Sequence, residues 1–174
     1  MNIRFAIAPL LFASAVLGAC SQSAAPPVAV QRPDRDPNAA VTAIRAAGAK
    51  LESSVEVKPL RDPAVDGLLR QAHDLEMQGQ PAQALDALRR AEKIAAASPD
   101  IIQYEAELLI EVRDWKQAEA AARRSYELGP KVGALCARNQ QTLVETRHMA
   151  GDAAGAEQAR VQEAACNVPA PARF

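Results

Sequence analysis

Aromatic residues are nearly missing, with one Trp, two Tyr and three Phe among 174 residues. So few rings leave no stacking platform for single-stranded nucleic acid. With β-branched residues also sparse, there is too little material for a strand-rich fold. Histidine is confined to His73 and His148, and a lone histidine on a helix face is more often a surface residue than a general base. No nucleophile elbow, glycine-rich phosphate loop or His-x-x-x-His helix occurs, and the carboxylates are scattered along helix faces. No catalytic residue, metal-ligand set or cofactor is therefore expected. An excess of one charge is lacking too: 20 basic against 21 acidic residues give a net charge of −1, without the basic face of a nucleic-acid binder. What the chain has in quantity is alanine, 39 residues of it, the side chain with no helix penalty. An all-α fold is the expectation.

Long hydrophobic runs are also scarce, except at the start. After Arg4, Phe5 to Leu17 form an apolar run of roughly 13 residues, a signal-peptide core rather than the ~20 residues needed to span a bilayer. Leu17-Gly18-Ala19-Cys20 closes it and resembles the bacterial lipobox, in which the cysteine is acylated and becomes the mature N-terminus. Residues 1–19 are read on that resemblance as a signal peptide and Cys20 as the lipidated residue; an ordinary secretory peptide is the alternative. Several acyl chains on Cys20 make a firm membrane anchor. Ser21 follows the cysteine where Asp would signal inner-membrane retention, so the resemblance implies an outer-membrane, periplasm-facing location.

Residues 20–39 carry four prolines and no apolar cluster, which predicts a disordered tether that cannot offset its own ordering entropy. Over 40–62 the chain is read as an N-terminal helix and a connector. Val41, Ile44, Ala47 and Leu51 have near-helical spacing despite Gly48, whereas Val55 to Leu60 alternate and Pro59 and Pro63 interrupt any helix.

Beyond Pro63 the sequence repeats. Leu68, Ala72, Leu75, Gly79 and Ala84 recur 34 residues later as Ile102, Ala106, Leu109, Arg113 and Ala118. Each unit has an apolar stripe, a polar turn and a second stripe. Pro81 suits the first helical position after one turn, Asp114 suits the cap of the helix that Trp115 opens, and Gly129-Pro130 stops the next. A hairpin of two helices cannot bury its apolar face alone, so such units must stack.

These residues resemble the tetratricopeptide repeat family. Ala72/Ala84 and Ala106/Ala118 match its small pairs at the helix crossing, and Gly79, Trp115 and Pro130 match its turn glycine, turn aromatic and closing proline. The units are residues 64–98, 99–132 and an irregular capping unit at 133–167, followed by a disordered tail at 168–174. In the third, Gly151-Asp152 and Ala156 fit, but Gly151 lies 38 residues after Arg113. Arg147 stands there where a large apolar residue is expected, as suits a terminal unit facing water.

Cys136 falls near the start of the third unit's first helix and Cys166 near the end of its second. In an antiparallel pair those ends are neighbours, as a disulfide requires, and a secreted protein keeps such a bridge oxidised. Two buried thiols are the alternative.

In the family, the first helix of each unit lines a concave groove. By position that implies Leu69, His73, Glu76 and Met77 from the first unit, and Gln103, Glu107, Ile110 and Glu111 from the second. The third contributes Gln141, Glu145 and His148. The Lys and Asn pair of the family's carboxylate-clamp members is missing, so an acidic chain terminus is not the expected ligand. A mildly acidic groove with apolar patches suits a basic or amphipathic peptide; a solvated helix face without a ligand is the alternative. The leading functional expectation is a lipid-anchored adaptor that binds an envelope protein or peptide segment. Alternatives are a passive structural lipoprotein, self-associating as a homodimer through its exposed stacking face, and, last, a carboxylate-based cell-wall hydrolase.

Overall fold

Prolines and aspartates set the helix starts. Pro37, Pro63, Pro81 and Pro99 each occupy the first helical turn, where a missing N–H costs nothing and φ is already helical. Asp36, Asp62, Asp114 and Asp152 cap four helices through side-chain acceptance of a backbone N–H. A computed structural model describes residues 34–51 and 60–167. It contains seven helices and, among the described residues, no strand: α1 (Pro37–Ala49), α2 (Pro63–Met77), α3 (Pro81–Ile94), α4 (Pro99–Glu111), α5 (Trp115–Leu128), α6 (Gly133–Ala150) and α7 (Ala153–Ala165). The signal peptide, Cys20, most of the expected tether, residues 52–59 of the connector and the 168–174 tail lie outside the described residues.

The fold is an all-α helical repeat array. Helices α2/α3, α4/α5 and α6/α7 pair as hairpins, and α3 on α4 and α5 on α6 stack one hairpin on the next. Ala72, Ala84, Ala106 and Ala118 are completely buried, and their small size brings the paired helices close together. Leu88, Ile101, Ile102, Leu108 and Ile110 fill the spaces between layers, each worth roughly 2–3 kcal/mol when fully removed from water.

One turn geometry occurs three times. Gly79 (φ 71°), Arg113 (φ 63°) and Gly151 (φ 77°) are all left-handed. The next residue's N–H reaches back to a carbonyl five positions earlier: Gln80 to Leu75, Asp114 to Leu109 and Asp152 to Arg147. This is the Schellman closure of a helix C-terminus. The irregular spacing of the third unit therefore has a simple cause. Helix α6 has 18 residues where α4 has 13, so about one extra helical turn precedes an otherwise identical corner.

Two expectations need correction. Helix α1 begins at Pro37, so the end of the presumed tether is ordered: Asp36 caps it by accepting from the Asn38 N–H. Arg147 does not face water. Its side chain is only 12% exposed; it donates to the Gly155 carbonyl (2.6 Å) and lies 3.5 Å from Glu119, pinning α6 to the start of α7 and to α5.

Candidate functional site

The concave side of the array is occupied by the chain itself. Helix α1 lies along α6 and against α4, with Ala40, Val41, Ile44 and Ala47 buried beneath it. Gly48 is required at this contact. A Cβ there would stand 2.7 Å from Cγ of Arg138 and 3.2 Å from the Ala134 carbonyl oxygen, so only glycine lets α1 approach α6 this closely. The glycine that interrupts the helical pattern of the sequence is the one that allows the helix to dock.

Charge holds the contact at both ends. Glu107, completely buried on α4, accepts from Arg45 of α1 (2.9 Å), from Arg138 of α6 (2.8 Å) and from Gln103 (3.1 Å). Arg45 also donates to Glu76 of α2 (2.6 Å), so one guanidinium joins three helices. Burial works against its charge, but Glu107 and Glu76 outweigh burial and hold Arg45 protonated beyond the usual arginine range. At the other end Arg35 pairs with Glu145 (2.7 Å), which Gln141 also supports (2.8 Å). Glu76, Glu107 and Glu145 thus each have a cation, as a buried charge requires.

Where α1 ends, an open cleft of about 470 Å³ remains between α1, α2 and α4. Leu69, His73, Glu76 and Tyr104 line it, with Arg45 and Arg138 at its floor and the Arg61–Asp100 ion pair at its rim. The Tyr104 hydroxyl donates to Glu76 (2.6 Å). Burial, then this bond to a carboxylate, push the Tyr104 phenol up. Burial pushes Glu76 up as well, but Tyr104 and Arg45 more than reverse it and leave Glu76 below the ordinary carboxylate range. Glu111 is pushed up to about 7, first by burial and then by the Glu76 carboxylate. Carboxyls with separated pKa values can form an acid–base pair. Here both oxygens of Glu76 are engaged, one by Arg45 and one by Tyr104, and Glu76 serves the docking of α1.

The residues proposed from sequence divide accordingly. Glu76, Gln103, Glu107 and Glu111 gather around Arg45, and Gln141 and Glu145 gather at Arg35. Leu69 and His73 line the open cleft. Gln103, Glu107, Ile110 and Glu145 are buried and offer no open surface. Met77 is exposed at the end of α2. His148 turns to α7, where the Arg160 guanidinium lies 2.6 Å from its Nε2. Sequence reasoning missed Arg35, Arg45, Tyr104 and Arg138. The available signal was complementarity: a helix with Arg45 beside its apolar stripe matches the basic, amphipathic ligand that the groove suits.

Outside the groove, Cys136 and Cys166 form a disulfide with Cα atoms 5.7 Å apart. The Gly133 N–H donates to the Cys166 carbonyl (2.8 Å) beside it. Ala47, Leu51 and Tyr126 pack against this bridge, so α1 also rests on the stapled end of the third hairpin.

No family model and no curated protein match the chain. Among solved structures, the globular C-terminal domain of LpoP from P. aeruginosa is similar, with 30% sequence identity and a TM-score of 0.56. The match covers 60% of this chain and 99% of that domain. With that identity across essentially the whole of the LpoP domain, the chain belongs to the same family as the globular C-terminal domain of LpoP.

Proposed function

We propose that this chain is a lipid-anchored envelope protein whose helical array docks a protein partner on the periplasmic side of the outer membrane. The anchor is the acylated Cys20 of the lipobox-like Leu17-Gly18-Ala19-Cys20 segment. The observation that carries the docking role is the trough itself. Three stacked hairpins present a face whose shape and charge hold a helix, and that face leads into an open cleft at Leu69 and His73. Kinship to a domain of LpoP supports an envelope setting. The geometry favours binding over chemistry, because Glu76, the carboxylate lining the cleft, has both oxygens engaged by Arg45 and Tyr104.

Two measurements in living cells test this reading. Cys20→Ser should move the protein from the membrane to the soluble periplasmic fraction, and continued membrane association argues against the anchor. A photoreactive residue at the exposed position 73 should give a discrete adduct with a second envelope protein. Adducts containing this chain alone would replace the adaptor reading with a self-associating structural role.

A further inference from the structure

The floor beneath α1 combines apolar contacts with buried charge. The face that α1 covers buries charge: Glu107 and Glu145 are almost inaccessible and take Arg45 and Arg35 of the α1 segment as counterions. Interfaces that form once and persist are apolar; those that exchange are polar enough to be rewetted. The acids are also provided for if α1 leaves. Glu107 keeps Arg138 and Gln103, and Glu145 keeps Gln141. Arg35 and Arg45 each remain 42% exposed while bound, so water already reaches them. No cross-link ties α1 to the array, since the disulfide joins the third hairpin to itself. A helix of 13 residues does not persist alone, so a detached α1 would melt and not compete as a rigid body.

We propose that α1 is a resident stand-in for a partner's helix. The trough takes a segment with two basic residues ten positions apart, the first just before a helix start and the second within the helix, with small or β-branched apolar residues between them, and that segment enters by displacing α1. The pattern is the one the α1 segment displays: Arg35, just before the Asp36 cap, and Arg45 within the helix flank Ala40, Val41 and Ile44. This inference rests on the adaptor reading and names its ligand class. Because α1 is covalently attached, its effective concentration is of order millimolar, and an equivalent helix supplied separately competes poorly until α1 is weakened.

The test uses the full, oxidised chain and a fluorescent peptide of residues 34–51. Gly48→Leu places a side chain against Arg138 and the Ala134 carbonyl and lifts α1 off α6. The peptide should bind this variant at least tenfold more tightly than the unaltered protein, and a peptide with both arginines changed to Glu should not bind. Equal or absent binding to a variant that still melts cooperatively overturns the proposal. So does a dimer formed by exchange of α1 between copies, which makes a second copy the occupant. If the variant does not fold, hydrogen exchange on the unaltered protein decides. Amides of Ala40–Gly48 should exchange at least tenfold faster than the buried amides of α6, and equal protection makes α1 an integral part of the fold. Peptide binding without any adduct at position 73 in cells would sink the adaptor reading alone. A partner adduct beside a fixed α1 would sink this inference alone.

Discussion

Glu107 joins two helices to α4 through its charge. It has no solvent contact, and two guanidiniums from different helices converge on it. Glu107→Gln keeps the shape but removes the charge and leaves Arg45 and Arg138 without their shared counterion. A loss of about 2–3 kcal/mol is expected in urea unfolding, below the cost of breaking a fully buried pair because both arginines reach water. Arg113 is strained in a different way. It adopts the left-handed backbone that glycine occupies in the other two turns, at a cost of about 1 kcal/mol for a residue with a Cβ. Its contact with exposed Asp34 (3.4 Å) is too weak to offset that. Arg113→Gly should therefore raise the thermal midpoint by a few degrees. Glu111 sets a pH dependence. Its carboxyl titrates near 7 in the folded chain against 4.5 for the ordinary group, so between those values the native state binds more protons than the unfolded one. Stability must fall as pH rises through this window. Thermal midpoints measured from pH 4.5 to 8 should decline more steeply for the wild type than for Glu111→Gln. Glu76, held low, acts in the opposite sense and only in more acid solution.

At the scale of elements, the third hairpin differs from the others by the extra turn of α6 and by the disulfide. Closing a loop of about 31 residues removes roughly 3.7 kcal/mol of unfolded-state entropy in the chain model. Cys136→Ser should lower the thermal midpoint of oxidised protein and leave reduced protein nearly unchanged; equal shifts would mean that the bridge does not contribute. The local rules of helix building were legible in the sequence. Pro81 opens α3, Asp114 caps α5 by accepting from the Gln117 N–H, and Gly79 takes the left-handed turn. Each depends only on residues within a few positions, and the 34-residue spacing reports their recurrence. The docking of α1 was not legible. Whether Glu107 lies at an open face or under a helix depends on a segment about 60 residues upstream, and nothing in the neighbourhood of Glu107 records it. Gly48 shows the same limit: local propensity counts it as a weakness, whereas its purpose is visible only from Arg138 across the interface.

Across the whole molecule, α4 is the central element. It touches α1, α3, α5 and α6, and eight of its thirteen residues are buried. Ile102→Ala should cost about 3 kcal/mol and destabilise every layer together, seen as one cooperative shift in calorimetry. Ile44→Ala removes a comparable side chain from α1, but its main effect should be faster hydrogen exchange in α1, with a smaller change in the midpoint of the array. That contrast follows from the architecture: α4 packs against four helices, whereas α1 lies over α4 and α6 with charge at its contact.

The third hairpin is closed at both ends, by the Gly151 corner on one side and by the Cys136–Cys166 bridge on the other. It is a covalent ring with a single seam of sulfur. A protease that nicks the exposed Gly151-Asp152 corner would leave both halves attached. The cut protein should migrate at full mass until a reductant is added and only then separate into two pieces. A hairpin built this way survives its first wound.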